Sequence, residues 1–536
     1  MRFLPVNLSS FLVELANLNE TLALFDSLSE QPIYGIDEVI PAARTLLIRF
    51  QPVVVSSSVL ARQISQRERV RVPSASPQQV TVPVYYNGED LHDVAEHLGI
   101  RLSDVIARHT DALWSVAFTG FAPGFAYMVS HGSSWQVPRR PTPRTRIPAG
   151  SVALAGEFSG IYPQASPGGW QLIGHTPLKM WDLHRQQPAL LLPGTQVRFV
   201  DAASETRVIS LPPATPAAEA QTKTTPISLT VLSSGLQTLY QDLGRPGQAA
   251  MGVGESGAMD KAALRNANRV VGNPVTHTCL EVVQGGFRAR VQGELLLCVT
   301  GAPCEITLKT ASGDTMMMAC YQPLDLRDGD EISLRGLATG LRSYLAVRGG
   351  FQVDAILGSC AFDSLAQVGP LPLKTGDVLN IGGAEGCTSV QCGILPPTSL
   401  PASGDVVTLD IVFGPRTDWF TDEGMALLTS QTWRVTPQSN RIGLRLSGSQ
   451  TLTRSQHQEL PSEGTCCGAI QVPASGQPVL FLNDHPLTGG YPVIAAVADY
   501  HLDLAGQIPP GALIRFNAVR PFHDINESEI FDEHHF

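Results

Sequence analysis

The apolar runs of this chain are short, and glycine or proline cuts nearly every one of them. "QVTVPVYY", "GSVALAG", "ELLLCVTG" and "PVLFLND" recur between turn signals, and 49 glycines and 40 prolines supply the turns. Runs of this length, rich in Val, Ile, Leu and Thr and bounded by Gly and Pro, read as strands. Many in series require sheets that close on themselves or pack face to face. The expected fold is therefore mainly β with α+β parts. Helical periodicity is clearest in "NLNETLALFDSLSE", "EDLHDVAEHLGIRLSDVIARHT" and "AMDKAALRNANRVVG", with Asp90 and Asp260 as start signals.

A chain of 536 residues is too long for one ordinary core and divides into several domains. The stretch "DAASETRVISLPPATPAAEAQTKTTP" lacks large aromatics and is rich in Ala, Thr and Pro, so it reads as a linker. A further joint falls near residue 75, in "QISQRERVRVPSASPQQ". The expected order is a small α+β domain over 1–75, a β domain over 80–200, a linker over 201–226, β domains over 227–520, and a polar tail over 521–536.

With 37 Lys+Arg against 48 Asp+Glu, the formal charge of -11 disfavours nonspecific binding to nucleic acid or anionic membranes. The apolar runs fall well short of the ~18 residues of a membrane span, and no signal-peptide pattern opens the chain. Nine cysteines, all between Cys279 and Cys467, show no CxxC pair and no metal-ligand spacing, which reads as free thiols. No metal site and a cytoplasmic location are expected. Phosphate loops of the GxxxxGK[ST] kind, GxSxG elbows and HExxH helices are missing from the sequence.

One constellation repeats: glycine beside glycine or proline, then at once an aromatic. It occurs as Pro123-Gly124-Phe125, as Ser166-Pro167-Gly168-Gly169-Trp170, twice as "GGF" ending at Phe287 and Phe351, and as Gly489-Gly490-Tyr491 after Thr488. A Pro-Gly turn leaves backbone N–H groups free for an anion or carbonyl oxygen, and the adjoining ring can roof a pocket. The other reading is a hairpin closure whose ring is anchored in the core. In the first of these bends, Gly120, Phe121 and Tyr127 complete the candidate set. The proline-spaced arginines of "PRRPTPRTRIPAG" offer Arg139 or Arg144 for a carboxylate. A solvated loop, or a contact to an acidic partner, is the alternative.

The second half contributes Gln241, Asp242, Arg245, Asp260 and Asn268 among glycines that permit close backbone approach, then Arg441, Arg445 and Gln471. Asp484, just after an apolar strand, and His109, at the end of a helical pattern, are the candidates for acid/base work.

"ARHTDALWSV", "FTGFAPGFAYM", "PRRPTPRTRIPAGSVALAG" and "GIYPQASPGGWQLIGHTP" resemble the allophanate hydrolase subunit 1 family, which includes the B component of 5-oxoprolinase and the Kip-type kinase inhibitor. "QDLGRPG", "GAMDKAALRNANRVVGN", "SNRIGLRL", "GAIQVP" and "LTGGYP" resemble the subunit 2 family, which includes the C component of 5-oxoprolinase. The chain thus resembles a fusion of two partners. The resemblance implies cyclophilin-like β-barrel domains in both halves and a small α+β N-terminal domain. It also implies ATP-dependent opening of a small cyclic amide, 5-oxoproline to glutamate, with a third oxoprolinase subunit of the lactam-utilisation family. Gly120 to Tyr127, Ser166 to Trp170 and Thr176 would then shape the substrate site.

Two other functions stay open. One is a carboxyltransferase component of a urea or allophanate-type biotin-dependent system, acting on a ureido compound. Biotin would sit on another chain, because "LKMWD" around Lys179 lacks the flanking methionine of a biotinyl site. The other is a Kip-type regulatory binder of a kinase. The chain departs from the family pattern at His175 and Cys360, where arginine is usual, and at His501, where an acid is common.

Overall fold

The runs read as strands do form them: Gln79–Val84, Ser151–Ala155, Leu295–Gly301 and Val479–Phe481. The computed structural model describes residues 1–68, 78–130, 135–204, 226–397 and 399–525. The joint expected near residue 75, most of the linker expected over 201–226 and most of the tail expected over 521–536 lie outside these residues.

The chain begins with a four-stranded antiparallel sheet in the spatial order Arg2–Pro5, Ser10–Glu14, Thr45–Phe50, Ile36–Pro41. Side chains alternate across a strand, so one face takes Phe3, Phe11, Val13 and Ile48 under the helices Leu18–Glu30 and Ser57–Ser65. The opposite face, with Leu4, Leu12, Ile40 and Leu47, packs on Phe481, Leu487 and Val493 from near the end of the chain. This small sheet is buried on both sides, and its second face fixes where the two halves of the chain meet.

Next comes a curled seven-stranded sheet in the order Gln171–His175, Ser151–Ala155, Phe158–Ile161, Ala126–Ser130, Leu113–Thr119, Gln196–Asp201, Gln79–Val84. Its two edges meet where Tyr85 and His175 exchange backbone hydrogen bonds of 2.8 and 3.0 Å. Val82, Trp114, Met128, Val152 and Phe199 fill the inside. The helical pattern over 89–110 is broken into Leu91–Leu98 and Leu102–Asp111 by Gly99, whose φ of 65° no L-residue adopts cheaply.

In the second half, a six-stranded and a five-stranded sheet pack face to face around Leu229, Leu280, Phe287, Leu297 and Leu345. The helix Lys261–Val271 lays Ala263, Leu264, Ala267 and Val270 on the outer face of the smaller sheet. The chain ends in a closed seven-stranded barrel, sealed where Val406–Phe413 runs parallel to Leu513–Arg520. Mainly β, with barrels in both halves and a small α+β domain in front, is the expected class; the two-sheet sandwich is the addition. No described helix is long and apolar enough to cross a membrane.

Candidate functional site

The glycine–aromatic bends do not roof a common pocket. Phe125, Tyr127 and Trp170 are buried and meet one another, Phe118 and Tyr162 in a single ring cluster, Phe125 lying 5.3 Å from Trp170 at 90°. Gly160 makes room for them, since a Cβ there would stand 2.9 Å from both the Phe125 and Trp170 rings. Phe287 and Phe351 belong to a different interior, that of the sandwich. Tyr491 is at the surface beneath the Arg454 guanidinium, 5.8 Å from its ring. The alternative reading, rings anchored in cores, is realised at each of these bends except that of Tyr491.

Their backbone donors are also taken. The N–H groups of Gly120 and Phe125 bond within the bend that holds Pro123, and Gly124 N–H donates to Met251 of the second half at 2.9 Å. Phe121 is held at φ 63° in this loop. Thr119 Oγ1 donates to the Ala249 and Ala250 carbonyls, and a Cβ on Gly120 would fall 2.3 Å from the buried Thr488 hydroxyl. The loop is a seam between halves. Ser166–Gly168, carrying Pro167, pairs as a strand with Arg144–Ile147, and the Gly169 carbonyl accepts from Arg140 N–H. Thr176 turns the chain, its hydroxyl accepting from Leu178 N–H.

The arginines are committed to protein carboxylates rather than to a ligand. Arg144 forks onto Asp90 with two bonds of 2.8 Å and reaches Glu89, Arg140 joins Asp90 at 2.5 Å, and Arg139 pairs with Glu459 at 3.1 Å. Burial opposes ionisation of Asp90, but Arg144, the Leu172 N–H and Arg140 outweigh it and hold the carboxyl below its usual range. Asp90 therefore makes no side-chain cap on the helix it precedes.

His109 is a core residue, not an acid or base. Its ring is fully buried against Trp114 and Phe199, with Nδ1 on the Tyr86 hydroxyl at 2.7 Å and Nε2 on Ser159 Oγ at 3.0 Å. Burial pushes its pKa down to about 3, and desolvation in the cavity wall brings that of His485 to about 4. The unfolded chain takes up these protons near pH 6.5, so the stability they contribute is present above that value and lost as pH falls toward 4. His109→Gln is expected to flatten the fall in thermal midpoint between pH 7 and 5; equal slopes in variant and wild type would contradict this.

Asp484 is likewise spoken for. Its oxygens accept from Ser256 Oγ, Ser364 N–H and Oγ, and Arg441 Nε and Nη2, all between 2.7 and 3.0 Å. Burial works against the charge, but Arg441 and these donors win and keep the carboxyl below its usual range. Arg441 also reaches Glu281 at 2.5 Å and the Gly257 carbonyl at 2.7 Å, and Glu281 accepts from Tyr344 OH and Met259 N–H. This buried network ties the sandwich to the terminal barrel.

The other polar candidates serve the same scaffold. Gln241 donates to the Phe362 carbonyl and Arg245 to that of Ala361, while Asp242 accepts from Ser359 Oγ and Cys360 N–H. Asp260 caps the helix at Ala263 N–H and accepts from Gln507, and Asn268 donates to the His277 carbonyl. Gln471 holds the Tyr491 carbonyl, so the bend at Gly489 and Gly490 is braced from within. Arg445 projects outward and is exposed.

What the sequence reading missed is a cavity of about 270 Å³ where the N-terminal sheet, the 255–265 segment and the terminal barrel meet. Glu38 and Arg49, opposite each other on neighbouring strands, form one wall. Arg49 bridges Glu38 at 3.2 Å and Glu255 at 2.7 Å, and Lys261 Nζ reaches Glu255 at 2.9 Å. Burial opposes the Glu255 charge, yet Lys261 and Arg49 bring its pKa down to about 2. Burial raises Glu38 and Asp499 above the usual carboxyl range. The Cys466 and Cys467 thiols are pushed up to about 12 by burial, which keeps them protonated and unfit as nucleophiles. Asn483, His485, Asp503 and Arg265 complete the lining that matters chemically. The sequence signal was present in "AMDKAALRNANRVVG": Lys261 and Arg265 stand one helical turn apart on one face.

The family model for the carboxyltransferase domain, subdomain A and B, matches residues 251–518, and that for subdomain C and D matches residues 1–191. The chain is 34% identical to the C component of 5-oxoprolinase from Escherichia coli K12 over 291 residues, covering 54% of this chain and 90% of that protein. It is 37% identical to the B component of 5-oxoprolinase from Haemophilus influenzae over 176 residues, covering 32% of this chain and 81% of that one. The crystal structure of TTHA0988 matches with a TM-score of 0.80 and 32% identity over 95% of this chain and 99% of its own. With the two halves arranged as described and both family models matched, the chain belongs to the carboxyltransferase-domain family, carrying subdomains C and D ahead of A and B on one polypeptide.

Proposed function

We propose that this chain is a fusion of the B-type and C-type components of an enzyme that opens a small cyclic amide, with 5-oxoproline as substrate and glutamate as product. The observation that carries the reading is the composition of the cavity. Ser10, Glu38 and Arg49 come from the region matched by subdomains C and D, and Glu255, Lys261, Asn483 and Asp499 from the region matched by A and B. A cyclic amide presents an N–H donor and a C=O acceptor on adjacent atoms. Carboxyls such as Glu38 and Asp499 can accept the first, and the cations of the lining can hold the second, where charge gathers as the ring opens.

The same lining does not fit a nucleotide. Glu38, Glu255, Asp499 and Asp503 outnumber Arg49, Lys261 and Arg265, and Arg49 and Lys261 are paired with Glu38 and Glu255, so the lining lacks the excess positive charge a triphosphate needs. ATP used in ring opening would then bind outside this cavity, and a third subunit of the lactam-utilisation family, the expected partner, is one place for it.

The description of the matched family favours one second reading, transfer of a carboxyl group from biotin carried elsewhere, since a ureido ring offers the same N–H and C=O pattern. A reconstitution separates the two. The purified chain, a candidate third subunit, ATP and 5-oxoproline are expected to give glutamate and ADP only when all are present. Carboxybiotin consumption without glutamate would replace the first reading with the second.

A further inference from the structure

We propose that Cys304 and Cys320 form an oxidisable dithiol at the edge of the two-sheet sandwich, which a peroxide converts into a disulfide while the remaining cysteines keep their thiols. The strands Cys304–Lys309 and Thr315–Met318 make a hairpin at one edge of the six-stranded sheet, pairing Ile306 with Met318 and Thr307 with Met317. Carrying that register two residues further sets Cys304 across from Cys320. Side chains two positions apart share a face, so both thiols lie beside Ile306 and Met318, packed against the rim of the sandwich interior. Their sulfurs are 3.9 Å apart. Opposed residues of an antiparallel pair have Cα atoms ~4.5–5.5 Å apart, inside the ~4.4–6.8 Å span that a disulfide bridges. The backbone is therefore already placed for the bond, and rotation of the side chains brings the sulfurs together.

Burial separates this pair from the other thiols. Cys304 and Cys320 are partly exposed, whereas Cys279, Cys298 and Cys466 are buried. Cys392 is exposed, but among the described residues no two sulfurs other than those of Cys304 and Cys320 share a hydrogen bond. That shared bond brings the Cys320 thiol down to about 7 against the effect of burial, and it pushes the Cys304 thiol up. Cys320 thus supplies the thiolate near neutral pH. With hydrogen peroxide, the thiolate attacks one oxygen, the O–O bond breaks, and the leaving hydroxide takes a proton to give water and a sulfenic acid. The Cys304 sulfur then attacks that of Cys320, its proton leaving with the hydroxyl as a second water. Two electrons have passed from the sulfurs to the peroxide, and a dithiol reductant reverses the step by exchange. The pair takes no part in lining the cavity, so the inference is independent of the ring-opening reading.

The test treats the folded full chain with hydrogen peroxide, blocks free thiols with N-ethylmaleimide, and digests with trypsin without reductant. Cleavage after Lys309 leaves the two cysteines on separate peptides. These are expected to remain joined, to separate on treatment with dithiothreitol, and to be unlinked in Cys320→Ser. Cys298 shares a tryptic peptide with Cys304, so fragmentation of the joined wild-type peptides must place the bond on Cys304. The thiols of the pair are expected to disappear about tenfold faster than that of Cys392. Absence of the joined peptides in the wild type overturns the inference. So does a bond placed on Cys298, or loss of the Cys392 thiol at the same rate as the pair.

Discussion

Replacing Arg441 with methionine is expected to destabilise the protein by about 3–5 kcal/mol, the cost of stranding a buried charge by removing its partner. Arg441 is 2% exposed and stands between Asp484 and Glu281, both fully buried. Without the guanidinium, Asp484 keeps only the neutral donors Ser256 and Ser364, while Glu281 keeps Tyr344, the Met259 N–H and the more distant Arg342 at 3.5 Å. The thermal midpoint reads the loss. Arg445→Met, in the strand Gly443–Ser447 that follows Arg441 and pointing into solvent, is the control and should shift stability by no more than about 0.5 kcal/mol. The effect of Arg441→Met should shrink when Asp484 is already asparagine, because one of the stranded charges is then gone. A midpoint unchanged in Arg441→Met would show that the network contributes nothing to stability.

Phe125→Ala is expected to cost about 3–5 kcal/mol, the usual range for emptying a buried aromatic site. The ring is 1% exposed and packs edge-on against Phe121, Tyr127, Tyr162 and Trp170 at 5.1 to 5.3 Å. The cluster also takes Leu18, Leu22 and Ala43, so its collapse loosens the first barrel from the N-terminal domain. Loss of the near-ultraviolet dichroism of the rings should accompany the drop in thermal midpoint. If Phe125→Ala instead kept its stability and lost ligand binding, the ring would be a pocket roof after all.

Strands were legible because short β-branched runs between Gly and Pro have few other outcomes, and "NLNETLALFDSLSE" does form the helix Leu18–Glu30. The helix over 89–110 misled because its apolar spacing continues through Gly99, where the left-handed turn divides it. Resemblance found the family. The site was hidden for a different reason: its walls run from Asn7 to Asp503, and a cavity built from such distant positions leaves no local motif. Polar candidates such as Asp242, Arg441 and Asp484 are satisfied by other protein groups in the interior.

Carrying Glu38 and Arg49 on the same polypeptide as Lys261 and Asn483 has a consequence for assembly. Separate chains would have to find each other, and their shared chamber would empty out as both became scarce in the cell. Covalent continuity makes the encounter intramolecular, at an effective concentration on the order of millimolar for a short tether. Equal stoichiometry then comes with translation, and dilution no longer takes the chamber apart.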